Sequence, residues 1–116
     1  MLNTRQKVLQ NFWYATVPTD ALKAGPKPFR LLGEDIVLFL AGDPPAALKD
    51  RCLHRSAKLS KGWVKDGRIV RGYHGWRYDG SGRLRTIPQL PPDQAVPDAC
   101  VQSFHARDRY GYVWVC

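Results

Sequence analysis

The chain has 116 residues, 44% apolar and 24% charged, which suits one ordinary globular domain and excludes both two well-buried domains and a mainly disordered chain. No apolar run approaches the roughly 20 residues of a membrane helix, and MLNTRQKVLQ lacks the apolar core of a secretory leader, so a soluble, cytoplasmic single domain over 1–116 is expected. The net charge of +8 lies wholly within residues 51–85, where ten basic residues meet only Asp66 and Asp79; this excess suits either an acidic partner or a solvated face.

Residues 1–12 have some helical character without a cap signal. From Trp13 onward the sequence reads as strand and turn. Phe12 to Val17 is aromatic and β-branched and closes at Pro18. Asp20 to Pro26 reads as a turn, or one helical turn, stopped by Gly25-Pro26. Phe29–Leu32 and Ile36–Leu40 flank Gly33-Glu34-Asp35, a hairpin pattern. Gly42-Asp43-Pro44-Pro45 is a further turn, with a strand over Ala46–Lys49.

Residues 50–64 and 71–82 are rich in Gly, Ser, Arg, His and Trp and lack alternation, so they read as two loops. Between them Arg68-Ile69-Val70 is a short strand after the turn Asp66-Gly67. Asp79-Gly80-Ser81-Gly82 is a tight turn leading to a strand at Arg83-Leu84-Arg85. The proline-rich stretch from Pro88 to Pro97 is an extended loop. Val101–Ala106 and Gly111–Cys116 are closing strands. Many short strands separated by turns imply an all-β sandwich or barrel.

The three cysteines are Cys52, Cys100 and Cys116, too few and too odd in number for a disulfide scaffold. Cys52-Leu53-His54 opens the first loop, and Tyr73-His74-Gly75-Trp76 lies in the second. A cysteine and a histidine two residues apart at a strand-to-loop corner can serve one metal. The plainer alternatives are a small buried thiol and a structural histidine.

Residues 50–82 resemble the cluster-binding loops of Rieske proteins, whose pattern is C-x-H followed later by C-x-x-H. The matching stretches run from Asp50 to Gly62 and from Tyr73 to Gly82. Phe12-Trp13-Tyr14, Ile87-Pro88-Gln89 and Arg109–Val115 resemble the flanks of the N-terminal Rieske domain of ring-hydroxylating and demethylating oxygenases. The resemblance implies an all-β, antiparallel sandwich whose loops 50–64 and 71–82 form a small cluster-binding subdomain. It implies an electron-transfer [2Fe-2S] domain of a multi-component aromatic-ring or N-/O-demethylating oxygenase. Cys52 would then serve one iron, and His54 and His74 the other. A reductase or ferredoxin would deliver electrons, and a separate non-haem iron domain would receive them. No ligand set for that second iron follows the loops, so catalysis by this chain alone is not expected; the chain is expected either to be the N-terminal fragment of a longer oxygenase or to work with another chain that supplies the catalytic iron.

The pattern breaks at one position. After His54 come sixteen residues, and Arg71 then stands where the second cysteine belongs. A guanidinium is always cationic and has no lone pair for a metal. Cluster binding is therefore expected to be impaired or altered. The alternative is a cluster-free or mononuclear variant, with Cys52, His54 and His74 on a single iron or zinc, acting as a basic binding module for an acidic protein. Nucleic-acid binding, through basic residues interleaved with Tyr73, Trp76 and Tyr78, is not expected, because the family loops already account for those aromatics.

Among the neighbours, Trp76 is expected to cap the loops or join the core, and Tyr78 to tune a cluster sulfur or pack. Arg55 is expected to face an acidic partner or solvent. Gly75, Gly80 and Gly82 are expected at positive φ. His105 is expected to be structural or exposed.

Overall fold

Ile36-Val37-Leu38-Phe39-Leu40 is apolar at every position, so a strand there has two faces to bury. The computed structural model describes residues 12–42, 45–51, 58–71, 75–91 and 93–116. In it, β3 (Glu34–Leu40) pairs antiparallel with β2 (Lys27–Leu31) and with β4 (Pro45–Lys49). A two-residue turn joins β2 to β3, with Leu32 at φ 51° and Gly33 at φ 79°. That is the hairpin geometry whose twist matches the flanking strands. β9 (Ser103–Phe104) adds to the far side of β4, giving the order β2-β3-β4-β9.

Alternation along β3 then feeds two cores. Ile36 and Leu38 join Ala47, Phe104 and Leu31 against Val113 and Val115 of a second sheet. That sheet has the order β1-β11-β10, from β1 (Tyr14–Pro18), β11 (Tyr112–Val115) and β10 (Ala106–Arg109). Val37 and Phe39 join Ala46 and Leu48 against Ile69, Tyr78 and Leu84 of a third sheet. Its order is β5-β6-β7-β8, from β5 (Trp63–Lys65), β6 (Arg68–Val70), β7 (Arg77–Tyr78) and β8 (Leu84–Thr86). Each fully buried Leu, Ile or Phe contributes about 1.5–3 kcal/mol, so the shared middle sheet ties all three layers together. The all-β antiparallel expectation is met.

The turns also follow expectation. A 3-10 turn over Thr19–Ala24 stops at Gly25, whose φ is 131°. Asp66 (φ 54°) and Gly67 (φ 74°) join β5 to β6. The helical expectation for residues 1–12 falls almost wholly outside the described residues.

Three strand assignments differ from the sequence reading. Trp63–Lys65 and Arg77–Tyr78, within or bordering the stretches read as loops, are ladder partners of β6 on its two sides. The closing strand read as Val101–Ala106 breaks at His105 and resumes as β10, which pairs with β11 around a Tyr110-Gly111 turn. β10 carries Arg107-Asp108-Arg109 and is mostly exposed, so it has no apolar alternation to announce it.

Candidate metal centre

The ligand candidates Cys52, His54 and His74, like Tyr73 and Arg55, lie outside the described residues. The described residues form the base from which the two loops spring. On the first side, the backbone N–H of Lys49 donates to Gln102 O at 2.8 Å, and that of Asp50 donates to Asp35 O at 3.0 Å. The Asp50 carboxylate then reaches across the first loop. Its Oδ1 accepts the Ser60 N–H at 2.8 Å and its Oδ2 accepts the Ser60 hydroxyl at 2.7 Å. This pins the 3-10 turn Leu59–Lys61, whose Leu59 is fully buried in the core. On the second side, the Arg71 N–H donates to Trp76 O at 2.8 Å, one step beyond the Val70–Arg77 pair of the β6–β7 ladder. Gly75, at φ 71°, lies just before that closing contact.

Arg71 is only 3% exposed. Among the described residues, its buried Nε and Nη1 find no hydrogen-bond partner, and the Nε of Arg77 is in the same state. An uncompensated buried charge costs about 3–5 kcal/mol relative to a paired one, and arginine cannot escape by losing its proton. With no lone pair, the guanidinium supplies no metal ligand at position 71. Neither other described cysteine fills that place. Cys100 is exposed, in an isolated bridge with Arg83, and Cys116 follows β11, where its N–H bonds His105 O at 2.9 Å. Among the described residues no three His, Cys, Asp or Glu side chains are grouped to hold a metal.

The neighbours divide between core and turn. Tyr78 is fully buried in the core under the third sheet, and Trp76 packs against the same cluster. Tyr78 is thus unavailable to stack on a nucleic-acid base. His105 is exposed, as expected. Gly75 and Gly82 do adopt positive φ, but Gly80 does not. Gly80 is needed for space instead, since a Cβ there would lie 2.7 Å from the Ala41 Cβ. At Gly82, with φ 85°, a Cβ would run into the carbonyl oxygen of Val101.

The turn between β7 and β8 is organised by Asp79. Its Oδ1 accepts from the Ser81 hydroxyl and from the N–H groups of Ser81 and Arg83, and its Oδ2 accepts Arg85 Nε at 2.6 Å. Burial pushes the Asp79 carboxyl up, but these hydrogen bonds outweigh it and hold its pKa at about 2, below the ordinary 3.8.

The basic excess is partly neutralised. Lys58 pairs with Asp35 at 4.0 Å, Arg83 with Asp98 at 2.9 Å and Arg85 with Asp79. Arg51, Lys61 and Lys65 stay exposed, the last two flanking the half-exposed Trp63.

Sequence reasoning missed two features. The Asp50–Ser60 clasp spans ten residues, a separation no local turn pattern reports. An aromatic hollow of about 220 Å³ is lined by Trp13, Arg107, Arg109, Tyr110 and Trp114, with the Arg107 guanidinium 5.0 Å above the Trp13 ring. All of them but Arg107 stand in the flanking motifs, and only the β1-β11-β10 pairing assembles them.

Comparison with known proteins accords with this architecture. The family described as the Rieske [2Fe-2S] domain matches residues 12–105. Methylxanthine N1-demethylase NdmA of Pseudomonas putida is 36% identical, over 99% of this chain and 34% of its own length. The structure of NdmA from Pseudomonas putida CBB5 superposes with a TM-score of 0.88, covering 97% of this chain and 36% of that one. The protein TIC 55 of Pisum sativum chloroplasts is 43% identical over 89% of the chain and 19% of its own length. A vanillate O-demethylase oxygenase subunit of Pseudomonas sp. (strain HR199 / DSM 7063) is 34% identical over 91% and 29%. The chain thus spans only about a fifth to a third of the relatives it matches. With its three-layer antiparallel fold and its paired loop bases, the chain belongs to the Rieske [2Fe-2S] domain family.

Proposed function

We propose that the chain is the Rieske module of a multi-component oxygenase that demethylates its substrate, and that Arg71 leaves its cluster site impaired. The demethylating class is supported by the similarity to NdmA and to the vanillate O-demethylase subunit over nearly the whole chain. The family's partners would then be this module's partners: a reductase or ferredoxin, and a catalytic non-haem iron domain.

The single observation behind the impairment is Arg71, buried at 3% exposure in the place of a thiolate. The family cluster needs two thiolates and two imidazoles. Cys52, His54 and His74 supply three of these by type, and position 71 supplies a cation without a lone pair. The residues present therefore do not fit the complete cluster. What remains is the fold of an oxygenase module without its usual electron carrier.

Anaerobic purification followed by a visible spectrum and iron, sulfide and zinc analysis tests this. The unaltered chain is expected to be nearly colourless, with far less than about two irons and two sulfides per chain. Arg71→Cys is expected to approach those values and to turn red-brown. Stoichiometric iron and sulfide in the unaltered chain would overturn the impairment. A folded but colourless Arg71→Cys protein would count against the assigned ligand positions. One zinc or iron per chain would favour the mononuclear alternative, with exposed Arg51, Lys61 and Lys65 left to meet an acidic protein.

A further inference from the structure

Three charged residues are buried among the described residues: Glu34, Asp50 and Arg71. The two acids are matched, Glu34 by Lys49 Nζ at 3.6 Å and Asp50 by the N–H and hydroxyl of Ser60. The base is not: Nε and Nη1 of Arg71 are enclosed and find no partner among the described residues. Arg77 Nε also finds no partner among the described residues, but Arg77 pairs with Val70, so alternation sets it on the other face of the hairpin from Arg71. A guanidinium keeps its charge at every ordinary pH and is shaped to donate to carboxylate or phosphate oxygens. The described carboxylates that are buried already have partners, so the missing acceptor must come from outside them.

We propose that Arg71 makes the base of the second loop a receptor for one small oxyanion, either a carboxylate or an inorganic oxyanion. This rests on the reading that no cluster fills the site. The anion supplies the negative charge and lone pairs that Arg71 lacks. It would bind the folded chain only, because the enclosed donors do not exist in the unfolded one.

The test is thermal unfolding of the full chain, with iron and sulfide measured on the same sample. Inorganic phosphate and acetate are titrated separately against sodium chloride at constant ionic strength. The expected result is a saturable rise in Tm, about 5 °C or more at a hundredfold excess over Kd, for one or both anions. Phosphate alone assigns an inorganic oxyanion, and acetate alone a carboxylate. The rise should vanish in Arg71→Met and persist in Arg83→Gln, which alters an exposed arginine. Because general salt exclusion stabilises any protein, an equal rise in Arg71→Met overturns the proposal. So does a cluster-free chain with no saturable rise. Should Arg71→Met fail to fold, Arg71→Lys is expected to keep a weaker rise, and an undiminished one would overturn the proposal. Stoichiometric iron and sulfide would instead overturn the underlying reading.

Discussion

Asp50 and Arg71 occupy corresponding places, each at the start of one of the two loops, and both are buried. Asp50 has both carboxylate oxygens engaged by Ser60, and its own N–H is bonded to Asp35. Arg71 has its backbone N–H bonded to Trp76 O, yet its Nε and Nη1 find no partner among the described residues. The first loop base is therefore a completed structural joint. The second is completed in its backbone only, with a side chain that asks for something else. The fold tolerates Arg71 because the ladder β6–β7, and not the residue's side chain, closes that hairpin.

Four substitutions or conditions test this contrast. The largest effect is expected away from both charges, at Gly82→Ala, where positive φ and the Val101 carbonyl oppose a Cβ together. A loss of at least about 3 kcal/mol in denaturant unfolding is expected. A near-neutral Gly82→Ala would show that the second hairpin is not anchored through Val101. Next comes Asp50→Ala, which strands the Ser60 N–H and hydroxyl and should cost about 3 kcal/mol; Asp50→Asn, keeping one acceptor, should cost about half of that. Equal losses for the two would mean that the second Ser60 bond contributes nothing.

Arg71→Met should act in the opposite direction. In chloride buffer, with no cluster, it is expected to raise stability by about 1–3 kcal/mol, because an unmatched buried charge is replaced by a flexible apolar chain. A destabilised Arg71→Met would place a hidden partner on the guanidinium. The smallest effect concerns pH. The Asp79 carboxyl is held at about 2 in the folded chain, below its ordinary 3.8. A folded-state pKa below the unfolded one gives stability that is fully present above pH 4 or so and is lost as pH falls toward 2. A Tm profile between about pH 5 and pH 2 should therefore be shallower in Asp79→Asn than in the unaltered chain. Parallel profiles would show that the Ser81 and Arg85 bonds do not favour the charged form.

Much of the fold is legible along the chain. The β2–β3 hairpin, the Asp66-Gly67 turn, the Asp79–Gly82 turn and the closing strand at Val113–Val115 all follow from short-range patterns of glycine, acid and β-branched residues. The strand character of Arg77–Tyr78 and Ala106–Arg109 is hidden, because two to four mostly polar residues have no period of their own and pair only when a neighbour offers a ladder. Gly80 departs from its expected positive φ for a related reason. Its constraint is the nearby Ala41 side chain, contributed from just beyond the end of β3, and not its own backbone angle.

The family pattern, the types of three ligand candidates and the mismatch at position 71 are all readable without a fold, since spacing and side-chain chemistry are written along the chain. That Arg71 is enclosed rather than solvated, that Asp50 is satisfied and that Tyr78 belongs to the core emerge from the packed layers alone. Burial is set by which layers stack on one another, and hydrogen-bond satisfaction by which distant groups those layers bring within about 3 Å. A residue's chemistry is local, but the cost of its charge depends on the protein packed around it.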